Sequence, residues 1–197
     1  MIPPDHSPVI PIDGQWRGGG WIGMDFRDLT PPEADALAAA WLATADDRLQ
    51  WLQLNWPDVS LTLTDSEFAS LLRRLAAECR VGPHAPDATL PVWFSLTRCA
   101  EFADLSVDSL WLVDAAALYL GELLIARDPR RLMWGAHVSD RPRDPWTGQP
   151  AVLGYRLPYS TLEDMGLYAA RAARGRPEPP NHVVAGINCY LDVFASS

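Results

Sequence analysis

Asp114 and Glu122 stand eight residues apart inside the most apolar stretch of the chain, Asp104 to Val138. Carboxylates in such surroundings are the first place to look for chemistry, because burial shifts their acidity. On a helix the two lie about 80° apart around the axis and about 12 Å apart along it. That exceeds the roughly 5 to 9.5 Å that separates the acid pair of a glycosidase. Each needs a partner, most simply an arginine such as Arg131 or Arg156, and a structural ion pair is the plainer reading for both. Glu122 is the better functional candidate, because Leu120-Gly121-Glu122-Leu123 sets a small residue beside it and opens space over the helix.

Other chemistries find less support. His6, His84, His137 and His182 never fall at metal-ligand spacing, and no C-x-x-C or H-E-x-x-H occurs, which argues against zinc. There is no G-x-S-x-G elbow for a serine hydrolase. Cys79, Cys99 and Cys189 are odd in number and widely spaced, as buried free thiols would be, and a Cys99–His137 meeting is no more than a chance pairing. Gly18, Gly20 and Gly23 satisfy G-x-G-x-x-G formally, but prolines precede them and no helix follows, so a dinucleotide site does not fit. All the basic residues are arginine, which excludes a lysine Schiff base and a Gly-Lys-Ser/Thr phosphate loop. No cofactor is expected.

The elements that must position these groups follow from pattern. Residues 1–30, with Pro3, Pro4, Pro8, Pro11 and Trp16-Arg17-Gly18-Gly19-Gly20-Trp21, read as an N-terminal arm with at most a short strand near Trp21 to Phe26. Residues 31–197 then form a single domain. Thr30-Pro31-Pro32-Glu33 is a helix start, and Leu37, Trp41, Ala45, Leu49 and Leu52 predict one long helix to about Leu54. Thr64 or Asp65 opens a second helix, packing through Phe68, Leu71, Leu72 and Leu75 to about Cys79. Val92 to Leu96 fits either a strand or a short helical turn. The central helix from Asp104 is apolar almost all round, so other elements must pack on several sides of it, and Pro129 stops it. Leu132 to Val138 and Ala151 to Leu157 make an antiparallel pair joined by a long polar connection. Thr161 to Arg174 is a helix, and Asn181 to Phe194 has helical spacing, with a strand as the alternative. The fold class is therefore α+β, with helices packed around a central apolar helix and against a small antiparallel sheet.

The run Leu118-Tyr119-Leu120-Gly121-Glu122-Leu123-Leu124, followed by Trp134 on a strand and then a hairpin, resembles several uncharacterised bacterial families of small α+β proteins. They have an L-G-[DE]-x-L helix leading into a tryptophan-bearing strand. The resemblance covers about residues 105–160, and loosely the helices from Trp51 to Leu75. It implies an accessory or immunity-type protein and carries no catalytic residue with it.

Net charge is −9, which argues against binding a phosphate backbone and suits a basic partner. No apolar run is free enough of charge to read as a membrane span, and the N-terminus lacks a secretory pattern, so a cytoplasmic protein is expected. The first reading is a non-enzymatic binding protein of the immunity or antitoxin type, covering a basic protein partner through Asp140, Asp144 and Trp146. The alternative is a small enzyme or ligand-binding domain with a pocket lined by Glu122, His137 and Tyr155. A third is a homo-oligomer whose subunit contacts use some of the nine tryptophans.

Overall fold

The computed structural model describes residues 29–85, 88, 90, 91, 93, 94, 102–139 and 147–195. The N-terminal arm through residue 28, Cys99, and the connection that holds Asp140, Asp144 and Trp146 lie outside the described residues. Among the described residues there are six helices and one two-stranded sheet, an α+β arrangement.

Helix α1 (Pro31–Leu42) opens as its sequence predicts. The Glu33 carboxylate reaches back to accept from the Thr30 backbone N–H at 2.7 Å and from its hydroxyl at 2.6 Å, and these bonds hold its pKa below the ordinary value. The single helix expected to Leu54 is in fact two, because the chain breaks at Ala43-Thr44 and restarts as α2 (Ala45–Asn55). No glycine or proline marks the break. Its physical reason lies in Arg48, whose guanidinium folds back to donate to the carbonyls of Trp41 and Thr44 and then reaches on into the core. Helix α3 (Asp65–Glu78) starts on Thr64, whose hydroxyl accepts from the Glu67 N–H at 3.3 Å, and buries Phe68, Leu71, Leu72 and Leu75.

Helix α4 (Val107–Arg127) is the centre of the molecule. Ser106 caps it through the Ser109 N–H, and Arg127 sits in its last turn, where the helix dipole favours a cation. From Leu112 to Gly121 every residue is buried, so no side of those turns faces water. By length and composition this helix would suffice to cross a membrane, yet 83% of its apolar window is covered by other parts of the fold. Helices α2 and α3 pack on it, and so does α5 (Thr161–Ala173). Helix α5 ends at Gly175, whose φ of 74° lets its N–H reach the Ala172 carbonyl while the Arg176 N–H reaches that of Arg171. Helix α6 (Pro180–Ala195) takes the helical alternative at the C-terminal end and rests on α3.

The sheet pairs β1 (Met133–Ala136) with β2 (Pro150–Leu153) antiparallel, Met133 opposite Leu153 and Ala136 opposite Pro150. Both strands are shorter than expected. Strand β2 ends at Gly154, which has φ of 125° and lies against the Arg131 carbonyl, where a Cβ would come within 1.9 Å. The chain then doubles back, and Tyr159 exchanges both backbone hydrogen bonds with Val152. Helix α1 lies against both strands, and β2 also touches α4 and α5.

Candidate functional site

Asp114 and Glu122 leave the central helix for different surroundings, and neither pairs with Arg131 or Arg156. Asp114 is 1% exposed, and its partner is Arg48, whose guanidinium donates to Oδ2 at 2.6 Å. Its other oxygen accepts from two indoles, Trp41 Nε1 at 2.8 Å and Trp93 Nε1 at 2.9 Å. The Arg48 guanidinium also lies 5.0 Å from the Trp41 ring centroid. Three hydrogen bonds, one of them from a guanidinium, thus satisfy this carboxylate, which is what allows a charge to be held so deep. The arrangement fixes structure and offers nothing to a substrate.

Glu122 is only half-buried, and its partner is the indole of Trp134, which donates from Nε1 to Oε1 at 2.8 Å. Gly121 explains how the indole gets there. The ring lies directly on the helix backbone, where a Cβ at residue 121 would fall 1.8 Å from Cζ2 and 2.1 Å from Cη2. The space that glycine opens over the helix is therefore filled by Trp134 and is no vacant pocket. Trp41 packs edge-on against the same indole, with ring centroids 5.3 Å apart.

His137 and Tyr155, the other two residues of the expected pocket, sit beyond opposite ends of the hairpin ladder. His137 follows Ala136 and exchanges backbone hydrogen bonds at the turn end, its N–H with the Gln149 carbonyl and its carbonyl with the Gly148 N–H. Tyr155 follows the far end and donates its hydroxyl to Asp128 at 2.9 Å. Four paired rows separate those two ends, about 10 Å of strand. Trp134, which carries Glu122, belongs to the middle of the ladder.

Tyr155 belongs instead to an aromatic cluster with Tyr190, Tyr159 and Phe194, in which Tyr190 lies 4.7 Å from Tyr159 and 5.1 Å from Phe194. This cluster fastens α6 to the segment after β2, and the Tyr190 hydroxyl donates to the Leu157 carbonyl at 2.8 Å. Beneath it Tyr159 donates to Asp164, and burial raises the pKa of both groups. On the opposite side of α6, Arg127 bonds both Asp65 and Asn188, tying the end of α4 to the start of α3 and to α6. Cys79 is fully buried, and desolvation pushes its thiol up to about 12, so it is inert at neutral pH. Among the described residues no three His, Cys, Asp or Glu side chains gather as a metal site would require.

The surface around the hairpin shows what residue type alone did not reveal. Met133 is 62% exposed, Val138 45% and Leu157 42%, so the first arm of the hairpin and the segment after the second carry apolar side chains into water. No signal in the sequence separates these from core residues, since both strands read as half-buried. No family model, no curated protein and no solved structure matches the chain.

Proposed function

We propose that this chain is a non-enzymatic binding protein whose hairpin face engages a basic protein partner, in the manner of an immunity protein or antitoxin-type inhibitor. The observation that carries the reading is the exposure of Met133, Val138 and Leu157 on and beside the hairpin whose connection holds Asp140, Asp144 and Trp146. The connection bearing Asp140, Asp144 and Trp146 joins the two arms of that hairpin and adds acidic and aromatic side chains to them. A net charge of −9 would speed encounter with a cationic surface and repel nucleic acid. The buried groups fit this role: Asp114 and Cys79 are committed to the interior, which leaves the outer face to make contacts.

The test is retention of a basic partner from the protein's own host at low ionic strength. The expected outcome is one partner that is released by salt and lost with Trp146→Ala or with the pair Met133→Ser and Val138→Ser. Circular dichroism should show both variants folded. A wild-type protein that retains no basic partner at low salt refutes the proposal.

The ligand-pocket alternative keeps one element of support, the half-exposed Glu122 with no arginine upon it among the described residues. A thermal shift with a small metabolite, abolished by Glu122→Gln, would favour it.

A further inference from the structure

Three glycines stand inside the described helices, each at a loss of helix propensity. Two of them admit a ring. A Cβ on Gly121 would strike Trp134, and one on Gly166 would lie 2.7 Å from Phe102. Gly186 of α6 differs, because a Cβ there would meet nothing within 4 Å among the described residues. The backbone is bare at that point with no contact inside the chain to explain it. Gly186 belongs to the outer face of α6, where His182, Ala185, Cys189, Asp192 and Val193 are exposed with it, while Ile187 is buried behind. That face is also poor in charge. Asp192 is the only Asp, Glu, Arg or Lys in the 16 residues of α6, in a chain of which 21% is charged, so like charges repel least there.

We propose that the outer face of α6 pairs with the same face of a second copy of this chain, the two helices antiparallel about a two-fold axis at the level of Ile187. The choice of occupant comes from the two ends of the face. Asp192 stands in the last turn, where its own helix dipole disfavours a carboxylate. An antiparallel copy sets the favourable, N-terminal end of a dipole beside it, together with His182, whose imidazole offers an N–H in either charge state. His182 and Asp192 lie five residues on either side of Ile187, so a two-fold arrangement makes this pairing twice. Ala185 then faces Cys189 of the second copy, and Gly186 lies at the crossing, where the missing side chain lets the two backbones approach. A patch that complements itself end for end is what a two-fold contact requires. The contact uses none of the hairpin residues, and the fate of either proposal leaves the other untouched.

One helix pair is small beside the roughly 800 Å² per partner of a standard complex, so the expected Kd is on the order of 100 µM. Sedimentation equilibrium of the full chain, at concentrations spanning that value, should show a reversible monomer–dimer equilibrium. Gly186→Gln should weaken the dimer about tenfold or more. Its urea midpoint should equal or exceed that of the wild type, since the added side chain meets open space and helix propensity rises, so a lost dimer is not a lost fold. His182→Asp sets carboxylate against carboxylate and should also dissociate the dimer, and His182→Asp combined with Asp192→His should restore it. A chain that stays monomeric throughout overturns the proposal. So does a dimer that Gly186→Gln or His182→Asp leaves intact, or one that the exchanged pair fails to restore.

Discussion

Replacing Gly121 with alanine in the middle of a helix should help stability by about 1 kcal/mol on propensity alone. The structure predicts the reverse. An alanine Cβ would lie 1.8 Å from Cζ2, 2.1 Å from Cη2 and 2.8 Å from Cε2 of Trp134, overlaps too deep for small side-chain adjustments to relieve. The ring must leave the helix surface. A buried aromatic removes roughly 150–250 Å² from water, and losing half of that at about 25 cal/mol per Å² costs roughly 2–3 kcal/mol. The hydrogen bond to the Glu122 carboxylate goes with it, adding about 1.5 kcal/mol. Setting the propensity gain against these losses leaves a net destabilisation of about 3 kcal/mol, which for a chain of this size lowers Tm by roughly 6–12 °C. Urea unfolding of the wild type, Gly121→Ala, Trp134→Leu and the double variant measures the effect. Leucine is short enough to clear the new methyl group, so the second substitution should cost much less in the Gly121→Ala background than alone. A Gly121→Ala protein more stable than the wild type, or additive effects across the cycle, would refute the reasoning.

Three further outcomes follow from the buried groups. Asp114→Ala strands the Arg48 guanidinium and two indole N–H groups in the core and should cost about 3–5 kcal/mol, part of which Arg48→Met recovers in the double variant, as a double-mutant cycle will show. Burial raises the Asp164 pKa above its ordinary 3.8, so the folded chain binds more protons than the unfolded one just above that value. Stability from this group is therefore greatest below pH 3.8 and declines as pH rises to the raised pKa, and Asp164→Asn should remove that decline in urea midpoints measured from pH 3.5 upward. In a Cys99→Ala background, Cys189 is exposed and should react with a thiol reagent within the mixing time, while Cys79 reacts only as the protein unfolds.

The central helix was legible because eleven large apolar residues leave no polar stripe, and burial on all sides is the arrangement that satisfies them. The hairpin was legible from two apolar runs around a polar connection, and α3 from its Thr64 cap and the Phe68-Leu71-Leu72-Leu75 stripe. Strand β2 is shorter than its pattern suggests because the bend at Gly154 depends on contact with Arg131, a tertiary event. The break between α1 and α2 was illegible for a similar reason. Local propensity through Ala43-Thr44 favours continuation, and a contact between Arg48 and Asp114, 66 residues apart, overrides it. The same separation hid the partner of Asp114, since no spacing rule links residues so distant. Glu122 stood out in sequence through its glycine neighbour, but that glycine serves to admit Trp134, and the distinction between open space and filled space requires coordinates.

Asp114 gathers Trp41, Arg48 and Trp93 from three separate pieces of chain around one atom group. Arg48 cannot peel away without abandoning the Asp114 charge in the interior, and either indole that leaves takes a hydrogen bond from that carboxylate. Fraying at that point is thus coupled to collapse of the whole core, and the indole protons of Trp41 and Trp93 should exchange with deuterated solvent at the rate of global opening. A molecule latched in this way is loosened all at once or not at all.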